Sequence, residues 1–306
     1  MKKPVVASIL FIIITLIISC SGIFEPKTNL YQPTSLKELH TGFFDEEIIP
    51  ENVHQSKVEI TVIVTGHLYP LIKYTEVYKT FIDSINRQKP DYLFLLGDLV
   101  QENNDQEWDT ILTMLSKINC KVYFAPGNHD LNYHYERYFG KRDHQYEAEM
   151  RYINHVGYRY KLLKDDFANY LFFNPNDSLE RVLSYLNIVK PNFDTTRQMI
   201  LLSGQALWDN TNQEADDPHT WVYKAFSHDD ILPEIGSFDY LIHGDWSGKF
   251  SLGTFPKDKG QFQIMSVGNR TFGDSLYITC LKISSDTLIA SSIPVIIPKE
   301  SSWWKK

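Results

Sequence analysis

The residues able to do chemistry come in short clusters, each at the end of an apolar run. Thr65-Gly66-His67 closes the β-branched run that begins at Val58, and Gly97-Asp98 follows Tyr92 to Leu96. Gly127-Asn128-His129-Asp130 follows Val122 to Ala125, and Ile242-His243-Gly244-Asp245 lies further on. Runs of this composition read as strands. In open α/β sheets ligands sit beyond the carboxyl ends of strands, where polar side chains converge. Imidazole and carboxylate together suit Zn, Mn or Fe better than calcium. The glycines let the backbone turn sharply and keep such loops compact.

Gly97-Asp98, followed 30 residues later by Gly127-Asn128-His129-Asp130, each after an apolar strand, resembles the calcineurin-like metallophosphoesterase superfamily. The likeness covers roughly residues 57–298. It implies a four-layer α/β/β/α sandwich carrying two divalent cations (Mn, Zn, Fe or Mg) that activate water against a phosphate ester. Carried over position by position, it makes His67, Asp98, Asn128 and His243 metal ligands, with Asp98 bridging both ions. It makes His129 the donor to the phosphate or leaving oxygen, oriented by Asp130. Three positions depart from the pattern. Thr65 stands where the family has its first metal-binding Asp, Gly204-Gln205 where it has a lone His, and Asp245 where it has its last His. The family's first Asp and last His share a metal, so the Thr65/Asp245 exchange keeps that ion's carboxylate count. His67, Asp98 and Asp245 then form one site. Asp98, Asn128 and His243 form a second, weaker one, short of an imidazole unless Gln205 or His228 moves in.

Alternation of strand and helix must position these clusters. Residues 72–88 and 108–118 carry apolar side chains at helical spacing between strands at 58–64, 92–96 and 122–125, which indicates parallel βαβ units. A helix at 143–154, paired strands within 158–173 and a helix at 178–187 follow. Strands are expected at 198–203, 239–243, 262–267, 275–283 and 287–296.

The N-terminus sets a compartment. Lys2 and Lys3 precede an apolar run from Val5 to Ile18, the layout of a secretory signal and short for a membrane span. Ile17-Ile18-Ser19-Cys20 resembles the bacterial lipobox, which makes Cys20 the lipidated first residue of the mature chain. Residues 1–20 are thus expected to be a lipoprotein signal peptide, 21–56 a tether, 57–298 the domain and 299–306 a tail. The expected location is the cell envelope, periplasmic or surface-facing, with the membrane reached through the lipid and a small-molecule or envelope phosphoester as substrate. The 306 residues are 43% hydrophobic and 14% aromatic, which excludes a disordered chain. A formal charge of −8 with no basic run argues against nucleic acid as a partner. Cys120 and Cys280 read as buried thiols, with a disulfide between them left open. A second class of function stays open as well: a domain of the same fold that binds a phosphorylated or sugar ligand without turnover.

Overall fold

Strands buried on both faces, alternating with a period of two, set the architecture. The structure, a computed structural model, describes residues 32–69, 75–131, 145–205, 207, 230–244, 251–254, 263–267 and 275–296. Its strands are β1 (Glu51–Asn52), β2 (Ile60–Gly66), β3 (Tyr92–Leu96), β4 (Lys121–Ala125), β5 (Lys161–Lys164) and β6 (Ala168–Phe173). β7 (Gln198–Ser203), β8 (Tyr240–His243), β9 (Ser251–Thr254), β10 (Gln263–Ser266), β11 (Ser275–Ile283) and β12 (Leu288–Ile296) complete them. The helices are α1 (Leu36–Thr41), α2 (Asp45–Ile48), α3 (Thr75–Gln88), α4 (Asp105–Leu115), α5 (Gln145–Val156), α6 (Leu179–Val189) and α7 (Leu232–Ile235).

Two sheets result, in the orders β12-β11-β2-β3-β4 and β1-β5-β6-β7-β8-β10-β9. In β3, Tyr92, Phe94 and Leu96 enter the core between the sheets, while Leu93 and Leu95 enter the layer covered by α3, α4 and α5. In β7, Ile200 and Leu202 face the same central core, and Met199 and Leu201 face α6 and α7. Helix, sheet, sheet, helix is the expected four-layer sandwich. β2, β3 and β4 run parallel, as do β6, β7 and β8. Their carboxyl ends therefore open on one edge.

Residues 32–52 correct the expectation of a tether running to residue 56. They hold α1, α2 and β1, and β1 pairs in parallel with β5. Leu39 and Phe44 are buried in the core. The segment is fastened by charge. Arg159, fully buried, donates to both carboxylate oxygens of Glu47 at 2.8 and 2.9 Å and to the Leu39 carbonyl at 3.1 Å. Arg181 donates to the carbonyls of Leu39 and Gly42, and its Nε lies 2.6 Å from Asp177 Oδ2. Buried charges persist only where paired and hydrogen-bonded, as these are. The sulfurs of Cys120 and Cys280 are both free thiols.

Candidate metal centre

The two sheets meet at their carboxyl ends through glycine. A Cβ on Gly244 would lie 1.7 Å from the Leu96 carbonyl oxygen, and one on Gly66 would lie 2.0 Å from that same oxygen. Only bare backbone lets β2 and β3 of one sheet touch β8 of the other this closely. The seam brings the clusters after β2, β3, β4, β7 and β8 to one edge. Backbone bonds fix them there: His67 N–H donates to the Gly97 carbonyl, Tyr69 N–H to the Asp98 carbonyl and Gly244 N–H to the Ser203 carbonyl.

His67 and Asp98 both adopt positive φ, 58° and 54°, a conformation non-glycine residues seldom hold outside functional loops. Both are buried, and His67 Nδ1 lies 3.1 Å from Asp98 Oδ2. The other oxygen of Asp98 accepts from His129 N–H at 3.1 Å. Burial opposes charge on Asp98, but His129 and His67 outweigh it and hold the carboxyl down at about 2. Asp98 is thus a carboxyl whose anion its neighbours favour.

His129 Nδ1 lies 2.9 Å from the Gln101 carbonyl oxygen. A carbonyl only accepts, so Nδ1 carries the proton, and a second, exchangeable proton would sit on Nε2. The Tyr69 ring stacks on His129 at 4.9 Å and leans on His67 at the same distance, holding both imidazoles in orientation. Tyr69 escapes a reading of the sequence alone. Its only signal is its place two residues beyond His67 at a strand end.

Asp130 does not take the expected place behind His129. Its Oδ2 accepts from the N–H groups of Asp98 and Gly127 at 2.8 Å each, and its Oδ1 from Leu99 and Val100 at 2.8 and 3.2 Å. It ties the loop after β4 to the loop after β3. Burial and the charge of Asp98 raise its carboxyl, to about 7, against the amides that favour the anion.

On the other sheet, Ser203 and His243 stand side by side in register, and His243 is buried. Gln205 follows β7 and is 2% exposed. Its Nε2 donates to Asn128 Oδ1 at 2.8 Å. Thr65 is buried in β2. Asp245, the expected third ligand of the first site, lies outside the described residues, as do His228 and Cys20.

Among the described residues no three His, Cys, Asp or Glu side chains form a metal-holding group. The donors that do converge fit a divalent cation. Two ligands about 2.1 Å from a metal and roughly at right angles are about 3 Å apart, which is the spacing of His67 Nδ1 and Asp98 Oδ2. The amide oxygens of Asn128 and Gln205 add hard donors nearby.

Comparison with known proteins agrees with this geometry. Residues 67–247, more than half of the chain, match the calcineurin-like phosphoesterase family. A stretch of 40 residues is 38% identical to a probable cyclic nucleotide phosphodiesterase of Coxiella burnetii, covering 13% of this chain and 16% of that protein. The chain therefore matches only about a sixth of that relative's length. A purple acid phosphatase from yellow lupin superposes with a TM-score of 0.59 at 12% identity, over 79% of this chain and 52% of the lupin chain. A dimetal phosphatase from Danio rerio gives 0.51 at 10% identity, over 78% and 99%. At such identities the structural likeness speaks for the fold alone, and the fold is the four-layer sandwich derived above. By the span of that family match, the chain belongs to the calcineurin-like phosphoesterases.

Proposed function

We propose that the chain is a metal-dependent phosphoesterase working from a lipid anchor in a bacterial cell envelope. The observation that carries the catalytic half is Asp98. It is a buried carboxylate at a strand end whose neighbours favour its anion, one oxygen beside an imidazole and the other held by a backbone N–H. His67, Asp98 and Asp245 would hold one cation, and Asp98, Asn128 and His243 a second. Bound there, the ions supply a water of lowered pKa and neutralise phosphate charge. The chain's own residues do the rest. Asp98 presents one charge to both sites. His129, with Nδ1 committed to Gln101, delivers a proton from Nε2 to the departing oxygen. Tyr69 keeps that ring from rotating, and Asp130 keeps the Asp98 loop in place. The anchor reading rests on Ile17 to Cys20.

The test is hydrolysis of aryl phosphate monoesters and diesters by the full chain with Mn, Zn, Fe or Mg. Cyclic nucleotides join the panel because of the Coxiella relative. Metal-dependent turnover that disappears in Asp98→Asn, together with metal content, supports the proposal. A folded wild type that retains no metal and turns over no ester refutes it. That outcome would favour ligand binding without turnover, the reading supported by Thr65 and Gln205 standing where the family has metal ligands.

A further inference from the structure

Gln205 holds a buried polar atom that protein contacts leave unused. Its Nε2 is spent on Asn128 Oδ1, while its Oε1 is buried and has no hydrogen-bond partner among the described residues. Reversing the Gln205 amide alone would set two carbonyl oxygens 2.8 Å apart, so with Asn128 Oδ1 as the acceptor it is Gln205 Oε1 that is left over. Buried side-chain oxygens are nearly always paired, and an exception calls for an explanation. Among the described residues several other buried polar atoms share this state, but Gln205 Oε1 is the one set beside Asn128 at the strand-end edge. The backbone from Ser203 to Gln205 is held in place. Ser203 Oγ donates to the Gln205 carbonyl at 2.7 Å, and Gly204 packs so tightly on Pro126 that a Cβ there would lie 2.1 Å from its carbonyl oxygen. The side chain is therefore presented beside Asn128 by construction.

Building on the metal-dependent reading above, we propose that Gln205 Oε1 is a ligand of the second cation. It would stand where the family has an imidazole. Asp98, Asn128 and Gln205 would give three oxygens, with His243 the sole nitrogen. Oxygen-rich sets select harder ions, so this site prefers Mn²⁺ or Mg²⁺ to Zn²⁺. Asn128 Oδ1 has two lone pairs, so it can accept from Gln205 Nε2 and still face the same ion.

The experiment is metal binding by the full chain, read by calorimetry and by metal content after dialysis with Mn²⁺ or Zn²⁺ alone, without reference to turnover. The wild type should take up two Mn²⁺ per chain. Gln205→Met, close in volume but without an oxygen, should keep one and bind the other at least about tenfold more weakly. Gln205→His should restore the second ion and turn its preference to Zn²⁺. Two Mn²⁺ bound to Gln205→Met as tightly as to the wild type would overturn the assignment and leave the metal-dependent reading standing. A wild type that binds no metal would overturn both. If Gln205→Met unfolds, the His variant decides by itself: unchanged Mn²⁺-over-Zn²⁺ preference goes against the proposal, and reversal supports it.

Discussion

Asp130→Asn changes one atom and breaks a cross-brace. In the wild type each carboxylate oxygen accepts two backbone N–H groups, those of Asp98 and Gly127 on one side and Leu99 and Val100 on the other. An amide offers one oxygen and one NH₂. Whichever way it settles, two of these buried N–H groups face a donor. Each unpaired buried donor costs about 1–3 kcal/mol, so the variant should lose about 2–6 kcal/mol. Relaxation of the loops favours the lower half of that range. Total stability of a domain is about 5–15 kcal/mol, so the loss is a large fraction of it. With a urea slope of about 3 kcal/mol per molar, a loss of 3 kcal/mol moves the midpoint down by about 1 M. The assay is equilibrium urea unfolding of both chains, followed by tryptophan fluorescence, with the slope required to stay constant. If Asp130 only oriented His129, the variant would be as stable as the wild type and merely slower. A stability change under about 0.5 kcal/mol therefore refutes the brace.

Four further outcomes are expected. His129→Ala should leave metal content intact and lower turnover roughly 10²–10⁴-fold, as removal of a general acid does; loss of metal instead would make it a ligand. Glu51 accepts from Tyr123 at 2.7 Å and pairs with Lys161 and Lys121; burial opposes its charge, but these partners hold its carboxyl down at about 2. Its folded-state pKa lies below the unfolded value of about 4.5, so it contributes at most about 3 kcal/mol, present above pH 4.5 and lost as pH falls from there to about 2. Glu51→Gln should flatten the Tm-against-pH curve in that window, and an unchanged curve denies the linkage. Gly244→Ala drives a Cβ against the Leu96 carbonyl and should cost about 1–3 kcal/mol or more by thermal unfolding. Gly236→Ala, whose nearest neighbour would be 3.1 Å away, should cost far less. Cys20→Ser should abolish the lipid and either release the protein or strand it with its signal run uncleaved, and a mature N-terminus found by mass spectrometry at another residue contradicts the lipid anchor.

What the sequence disclosed follows from where the signal resides. The strands at 198–203 and 275–283 were legible to the residue because apolar side chains fill both faces. α1, α2 and β1 were not. Their stretch is a polar mixture without periodicity, and what docks it is Arg159 and Arg181, more than 100 residues away in the chain. No local pattern encodes such a partnership. β9 and α7, four residues each, are too short to show a period. At the site, Gly97-Asp98 and Gly127 to Asp130 announced themselves by spacing. The actual work of Asp130 did not, because its partners are backbone amides that exist as a group only after the loops fold. The Gln205–Asn128 contact joins opposite sheets; the sequence put Gln205 within reach of the second site, but not the amide-to-amide bond.

The docking of residues 32–52 also fixes a length. With the chain held at Cys20 and the folded body starting near residue 57, the leash would have been 37 residues, about 120 Å at full extension. If Cys20 carries the lipid, as proposed, the described structure is already reached at Gln32, at most 12 residues on, a span of at most about 40 Å even when fully extended. Under that proposal, a phosphoesterase so tethered would patrol a thin shell against the bilayer. Substrates delivered along the membrane surface would meet it far more often than solutes crossing the surrounding space.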